Sequence, residues 1–180
     1  MPITIEVPAA EGWDPIREEF VPMKSDRLVL EHSLLSLSKW ESKWKKPFLD
    51  PKAKRTSEEI NDYVRCMTIN SHVDPSVYSR LTREQVDSIA KYIKDPMTAT
   101  WFNDKRKGKR DTRVMTSELF YCQMVINGIP FECEKWHLNR LITLIRVCNA
   151  ENAPKKQMNK NDLYGRHMAA HAARRKPRKH

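Results

Sequence analysis

The feature that most constrains the fold is a series of segments whose apolar residues recur at helical spacing. The clearest segment opens at Thr82, which has the spacing of a capping box with Gln85. The apolar residues that follow recur at i, i+3, i+4 and i+7: Val86, Ile89, Ala90 and Ile93. Asp95-Pro96 ends the segment, because proline cannot continue a helix. The pattern predicts an amphipathic helix that turns this stripe to the core.

Two earlier segments have the same character. The first begins after Ser33 and stops at Pro47, and its apolar residues fall near one face: Leu34, Leu37, Trp40 and Trp44. The second opens at Thr56, and Glu59 three residues later completes a capping box. Its apolar stripe consists of Ile60, Tyr63, Val64 and Met67. Both segments are predicted to be helices that bury one face.

Two later segments complete the predicted helices. One begins at Thr116 and ends at Asn127-Gly128, a pair that suits a helix C-cap. The last follows Ile129-Pro130-Phe131, and its strong apolar face consists of Trp136, Leu138, Leu141, Ile142, Ile145 and Cys148. Before them, residues 103–113 are polar and charged around a glycine, which predicts a surface loop or a turn between two short strands.

The N-terminal residues have a different period. Ile3, Ile5 and Val7 alternate with polar residues, as they do in a half-buried strand. The run from Leu28 to Leu30 is apolar enough for a second strand. This part of the chain is therefore predicted to form a small β hairpin or sheet.

Together these patterns predict an α+β fold that is mainly α-helical. The predicted parts are a β element within the same domain at 1–31, a helical core domain at 32–150 and a basic, flexible, partly disordered tail at 151–180. Only 4 of the 180 residues are glycine. This scarcity disfavours a β-barrel, whose tight turns need glycine, and it also disfavours glycine-rich loops that bind phosphate.

Positive charge is concentrated at the C-terminus. The formal net charge is +10, and residues 155–180 account for +8 of it with one acid and nine basic residues: Lys155, Lys156, Lys160, Arg166, Arg174, Arg175, Lys176, Arg178 and Lys179. Such a block contacts nucleic-acid phosphates or simply solubilises the chain. The clearest candidates for contact with nucleic acid or a partner are Lys155, Lys156, Arg174, Arg175, Lys176, Arg178 and Lys179.

The sequence has few signs of catalysis or metal binding. No nucleotide-binding, serine-hydrolase or zinc-protease motif occurs in it. Cys133 and His137 lie four residues apart, which predicts that they share one helical face, but a structural zinc site normally needs four ligands in close pairs. The four cysteines are predicted to be reduced thiols packed in the core. We therefore expect no enzyme activity, no cofactor and no metal, and no segment is apolar enough to span a membrane.

Four aromatic residues are candidates for contact with a partner. Trp44 is followed by Lys45 and Lys46, and Trp101-Phe102 precedes the charged loop, so these side chains are predicted to be exposed. Phe48 belongs to the same candidate set. Trp40 and Trp136 lie on apolar helix faces, and both are predicted to be in the core.

Six segments of the chain carry a family resemblance: 30–44, 46–49, 97–100, 129–133, 135–141 and 144–149. Together they resemble a group of proteins encoded among the virion tail genes of siphophage-type tailed bacteriophages and prophages, and the resemblance covers nearly all of the core, roughly Ile3 to Asn149. The similarity is greatest in the run Lys135-Trp136-His137-Leu138-Asn139-Arg140-Leu141. The tail agrees with this group only in its basic, Ala- and Arg-rich character.

The resemblance implies a role as a tail assembly chaperone. Such a protein binds the long tape measure protein and keeps it soluble until the tail tube protein polymerises around it. It acts in the host cell cytoplasm, and many phages also make a longer, frameshifted form. The tail is more basic than this role requires, so two alternatives stay open: a structural virion component of the connector or tail-terminator type, or a nucleic-acid-binding protein.

Overall fold

A computed structural model describes residues 1–14, 16–102, 113–153, 164–165 and 168–171. Its contacts divide the chain into two compact units, Met1–Asn149 and Ala150–His180. The first unit is an α+β structure that is mainly helical, as predicted. In the second unit, residues 164–165 and 168–171 are helical and exposed.

Four short strands at the N-terminus form two nested antiparallel pairs. The strands are β1 (Ile3–Val7), β2 (Ala10–Asp14), β3 (Glu19–Met23) and β4 (Asp26–Leu30). β1 pairs with β4, so that Ile5 lies opposite Leu28, and β2 pairs with β3, so that Trp13 lies opposite Phe20. The strands predicted at Ile3–Val7 and Leu28–Leu30 are confirmed. The inner β2–β3 pair was not predicted as a separate hairpin.

Helices make up most of the remaining described chain. They are α1 (Leu34–Trp44), α2 (Ser57–Met67), α3 (Arg83–Lys94), α4 (Ser117–Ile126) and α5 (Leu138–Asn152), with 3-10 helices at Pro75–Arg80 and Phe131–Lys135. The capping boxes predicted at Thr56 and Thr82 are present, with each N-cap oxygen accepting from the backbone N–H three residues later. At the end of α4, Gly128 adopts a left-handed φ of 62°, which glycine tolerates at a helix C-terminus.

Two apolar clusters form the core. The first joins the β1–β4 pair to α2, α3 and the 3-10 helix at 75–80, and Trp40 of α1 packs in it with 1% of its surface exposed. The second joins α1 to α4 and α5, and it contains Leu34, Phe120, Leu141 and Ile145. The core positions predicted for Trp40, Leu141 and Ile145 are confirmed. α1 therefore lies between the two clusters and contributes to both.

Several predictions about single residues are wrong. Ile60 and Val86 were assigned to buried stripes, but they are 48% and 41% exposed, because each lies at the edge of its helix's apolar face. Cys122 is an exposed thiol on α4 and not a core residue. His137 precedes α5 and Cys133 lies in a 3-10 helix, so these two residues do not share a helical face.

Candidate functional site

An apolar groove lies beside α4 and α5. Residues 49–52 and 113–115 complete its walls, and its volume is about 1150 Å³. The apolar residues that line it are Leu49, Pro51, Val114, Met115, Leu119, Phe120, Cys122, Ile126, Ile142 and Ile145. Small-molecule sites usually enclose roughly 300–1000 Å³, so this open groove has room for a larger occupant such as a peptide helix.

The groove follows from the composition of α4. This helix buries Phe120 and Met124 in the second apolar cluster, which orients one face inward. Its outer side also carries apolar residues, and Val125 and Ile126 are 64% and 67% exposed. A helix that is apolar on every side normally packs against neighbours all round. The run Ser117–Ile126 carries this signal in the sequence, but only the two ends of the helix were predicted from it.

Charged residues line the rim of the groove. Lys52, Arg113 and Arg146 are basic and exposed, and Asp50 is the acidic residue among the lining side chains. The Asp50 carboxylate accepts a hydrogen bond from the backbone N–H of Lys52 at 2.9 Å, which shapes this wall. An apolar floor with a basic rim suits an amphipathic partner that carries carboxylates beside its apolar stripe.

Trp101 and Phe102 are two of the four predicted aromatic contact residues, and Phe102 is linked to the groove through Arg146. Trp101 is 83% exposed, as predicted. Phe102 is half-buried, and the guanidinium of Arg146 lies 4.2 Å from the centre of its ring. Since Arg146 also lines the groove, Phe102 contacts the rim. The part of these residues in partner binding stays a prediction.

The structure corrects the predicted exposure of Trp44. Its indole N–H donates to the carboxylate of Asp62 at 2.8 Å, and the ring packs against the first apolar cluster. Phe48 is also half-buried and stacks on Tyr63, with ring centroids 3.8 Å apart. These contacts arise because α2 packs beside α1, a tertiary relationship that the run of lysines at 45–46 does not reveal. Any partner that reaches Trp44 or Phe48 meets only part of each ring.

The basic residues predicted to contact nucleic acid or a partner lie outside the described residues. They are Lys155, Lys156, Arg174, Arg175, Lys176, Arg178 and Lys179. The loop predicted at 103–113 is likewise outside them except for Arg113. Among the described residues, the rim of the groove carries three basic side chains, Lys52, Arg113 and Arg146, beside an apolar surface.

A second group of interest is a buried polar network that was not predicted from the sequence. It consists of Glu31, His32, Tyr63, Tyr92 and His137. The Tyr63 hydroxyl lies 2.6 Å from His32 Nδ1, and the Tyr92 hydroxyl donates to the Glu31 carboxylate. His137 Nε2 donates to the Tyr92 carbonyl oxygen at 3.1 Å. The network links β4, α2, α3 and the start of α5.

Burial sets the protonation of this network. Desolvation, with a smaller contribution from His137, lowers the pKa of His32 to about 3. Desolvation also lowers the pKa of His137. The pKa values of Tyr63 and Tyr92 are raised, first by burial. Near neutral pH the histidines and tyrosines are therefore uncharged, and the network serves to hold the elements together. In the sequence, the network is marked only by the polar pair Glu31-His32 after a strand, and the spacing of its five residues matches no recognisable motif.

The remaining polar groups give little support for a chemical site. A smaller cavity of about 410 Å³ is lined by Ser33, Lys39, Cys66 and Lys135 among others, but Ser33 is engaged in capping α1. Burial raises the pKa of Cys66 and of Cys133, which lowers the reactivity of both thiols. Among the described residues, no cluster of three or more His, Cys, Asp or Glu side chains is arranged to hold a metal.

The chain matches no protein-family model, no curated protein and no solved structure. Within the described parts of the chain, no helix has the length and apolar character needed to cross a membrane. The fold and the site define a mainly helical α+β protein with an open apolar groove whose rim is basic.

Proposed function

We propose that this chain is a bacteriophage tail assembly chaperone that binds the tape measure protein and keeps it soluble during tail assembly. The family resemblance is the origin of this proposal. The groove beside α4 and α5 is the observation of the structure that supports it. A chaperone of this kind needs an apolar surface that a long helical client can cover, and it needs no catalytic group.

In the proposed complex, a helix of the tape measure protein lies along the groove. Its apolar stripe contacts the exposed side chain of Ile126 and the floor around Phe120 and Ile142. α4 has 10 residues, so it is about 15 Å long and faces two to three turns of a client helix. The partners in this proposal are the tape measure protein, the tail tube protein and a longer frameshifted form, all in the host cell cytoplasm.

The test is co-expression with the tape measure protein of the same gene cluster, followed by pull-down. The unmodified chain is expected to keep the tape measure protein soluble and to co-purify with it. Ile126→Asp places a carboxylate in the groove and is expected to abolish both effects. Ile69→Asp is the matched control, because Ile69 is similarly exposed, at 59% against 67%, but does not line the groove.

Purified virions provide the second measurement. A chaperone is expected to be absent from them, whereas a connector or tail-terminator component is present at a fixed copy number. A chain that fails to bind the tape measure protein and is found in virions would contradict the proposal. Equal solubilisation by the Ile126→Asp and Ile69→Asp variants would leave the chaperone role in place but remove the groove as its site.

A further inference from the structure

The β2–β3 hairpin presents an aromatic pair to solvent. Trp13 and Phe20 lie opposite each other across the two strands, and their rings meet edge to face with centroids 5.2 Å apart. In spite of this contact, Trp13 is 55% exposed and Phe20 is 67% exposed. Two adjacent aromatic side chains with this much open surface are typical of an interaction site. We call the segment Ala10–Met23 the arm.

The base of the arm is fixed to the domain. Arg80 donates one hydrogen bond to the carbonyl oxygen of Pro8 at 2.8 Å and another to that of Lys24 at 3.2 Å. These two residues lie at the breaks between the inner and outer strand pairs. The arm beyond them is a two-stranded hairpin, which has little stability of its own in water. A partner that covers the aromatic pair would therefore stabilise the arm.

The charge of the arm restricts the class of partner. The segment has four acidic residues and one basic residue, so its formal charge is −3: Glu11, Asp14, Glu18 and Glu19 against Arg17. A phosphate-bearing surface, whether nucleic acid or anionic membrane, would repel it. The partner that fits is an apolar surface surrounded by positive charge. The groove beside α4 and α5 has this character, since its apolar floor is lined by three basic residues, Lys52, Arg113 and Arg146, and one acidic residue, Asp50.

We propose that the arm of one copy binds the groove of a second copy of this chain. The exposure of Trp13 and Phe20 shows that the arm is not in the groove of its own chain. Because arm and groove are different surfaces, each contact joins the arm of one copy to the groove of another, and the proposed arrangement is head-to-tail. The contact occupies the same groove as the tape measure protein, so client binding displaces the arm. That competition rests on the proposed function, whereas the self-association does not.

Sedimentation velocity of the full chain over a range of concentrations tests the proposal. The unmodified chain is expected to associate, and 500 mM salt is expected to weaken the association by screening the arm from the rim. Trp13→Ser with Phe20→Ser, and separately Ile126→Asp, are each expected to weaken it by more than about tenfold. Glu11→Lys with Glu18→Lys keeps the aromatic pair intact and is expected to weaken it as well. Ile69→Asp is the control and is expected to associate normally.

A mixture of variants distinguishes a head-to-tail contact from other modes. The Trp13→Ser/Phe20→Ser variant retains its groove, and the Ile126→Asp variant retains its arm, so their mixture is expected to form a dimer and nothing larger. A chain that is monomeric at every concentration would overturn the proposal. Association that persists in both variants would also overturn it. The same holds for association that is lost when residues 155–180 are deleted but is unchanged in Ile126→Asp. If the Trp13→Ser/Phe20→Ser variant is monomeric but still binds the tape measure protein, the self-association is not required for the chaperone function.

Discussion

The carboxylate of Glu41 accepts a hydrogen bond from the backbone N–H of Ser117 at 2.7 Å, across 76 positions of the sequence. Its other oxygen accepts from the backbone N–H of Phe48 at 2.8 Å. Glu41 is 7% exposed, so a single buried side chain of α1 fixes both the segment after α1 and the first turn of α4. The negative charge also suits the N-terminus of α4. Because α4 forms one wall of the groove, this contact positions the candidate site.

Replacing Glu41 with alanine is expected to lower the free energy of unfolding by about 2–4 kcal/mol, since a buried and a partly buried backbone donor would lose their acceptor. Urea denaturation measures the change. Glu151→Ala removes an exposed glutamate near the end of α5, and a change within about 0.5 kcal/mol is expected there. An equal effect of the two substitutions would show that the Glu41 contacts contribute nothing to stability.

The buried histidines predict a loss of stability in mild acid. His32 has a folded pKa of about 3, below its value of about 6.5 in the unfolded chain, and the pKa of His137 is also lowered. At pH values between the folded and unfolded pKa, the unfolded chain binds more protons than the folded chain. The contribution of the two histidines to the free energy of unfolding is therefore fully present above about pH 6.5, and it decreases as the pH falls. The expected slope is about 1.4 kcal/mol per pH unit for His32, and His137 adds a contribution of the same sign.

Denaturation at pH 7, 6 and 5 measures this slope above the range in which carboxylates titrate. His32→Gln is expected to be less stable at pH 7 but to show a shallower slope, because it lacks one of the two groups. His72→Gln alters an exposed histidine and is expected to keep the original slope. A free energy of unfolding that is constant from pH 7 to 5 would contradict the neutral, buried state of His32 and His137.

The parts of the fold that could be predicted are those specified by local residues. Thr56 and Thr82 with their capping partners, and the glycine after α4, determine where helices begin and end through contacts three or four residues apart. The buried network could not be predicted, because His32 and His137 are brought together only when α5 begins beside β4. The Leu138 N–H donates to the His32 carbonyl oxygen at 2.7 Å, and this long-range contact has no sequence period.

The candidate site shows the same division between local and long-range information. Trp101 was identified from its polar neighbours, and it is exposed. Trp44 was identified on the same grounds, but Asp62 of the neighbouring helix binds its indole N–H. The groove escaped prediction because it depends on Ile126 having no covering neighbour, which only the packing of α4 against α5 decides. The arm escaped because Trp13 was not connected with Phe20, its partner across the hairpin.

Alanine substitutions at Leu141 and Ile126 are expected to have different effects, the first on stability and the second on binding. Leu141 is fully buried in the second apolar cluster, so Leu141→Ala should lower the free energy of unfolding by about 2–5 kcal/mol. Ile126→Ala removes an exposed side chain and should change it by less than about 0.5 kcal/mol while weakening the tape measure complex. Thermal or urea unfolding and pull-down of the same two variants provide the measurement. A large loss of stability in Ile126→Ala would show that this residue belongs to the core and not to a binding surface.

The basic tail is expected to contribute to DNA affinity and not to the stability of the first unit. Deleting residues 155–180 should leave the free energy of unfolding of Met1–Asn149 within about 0.5 kcal/mol of the full chain. The nine basic residues of the tail should give the full chain a weak, sequence-independent affinity for duplex DNA. The slope of log K against log salt should be no steeper than about −8, at about −0.9 for each neutralised phosphate. Titration of labelled DNA at several salt concentrations measures it, and binding that persists after the deletion would locate the contact on the groove rim or elsewhere in the first unit.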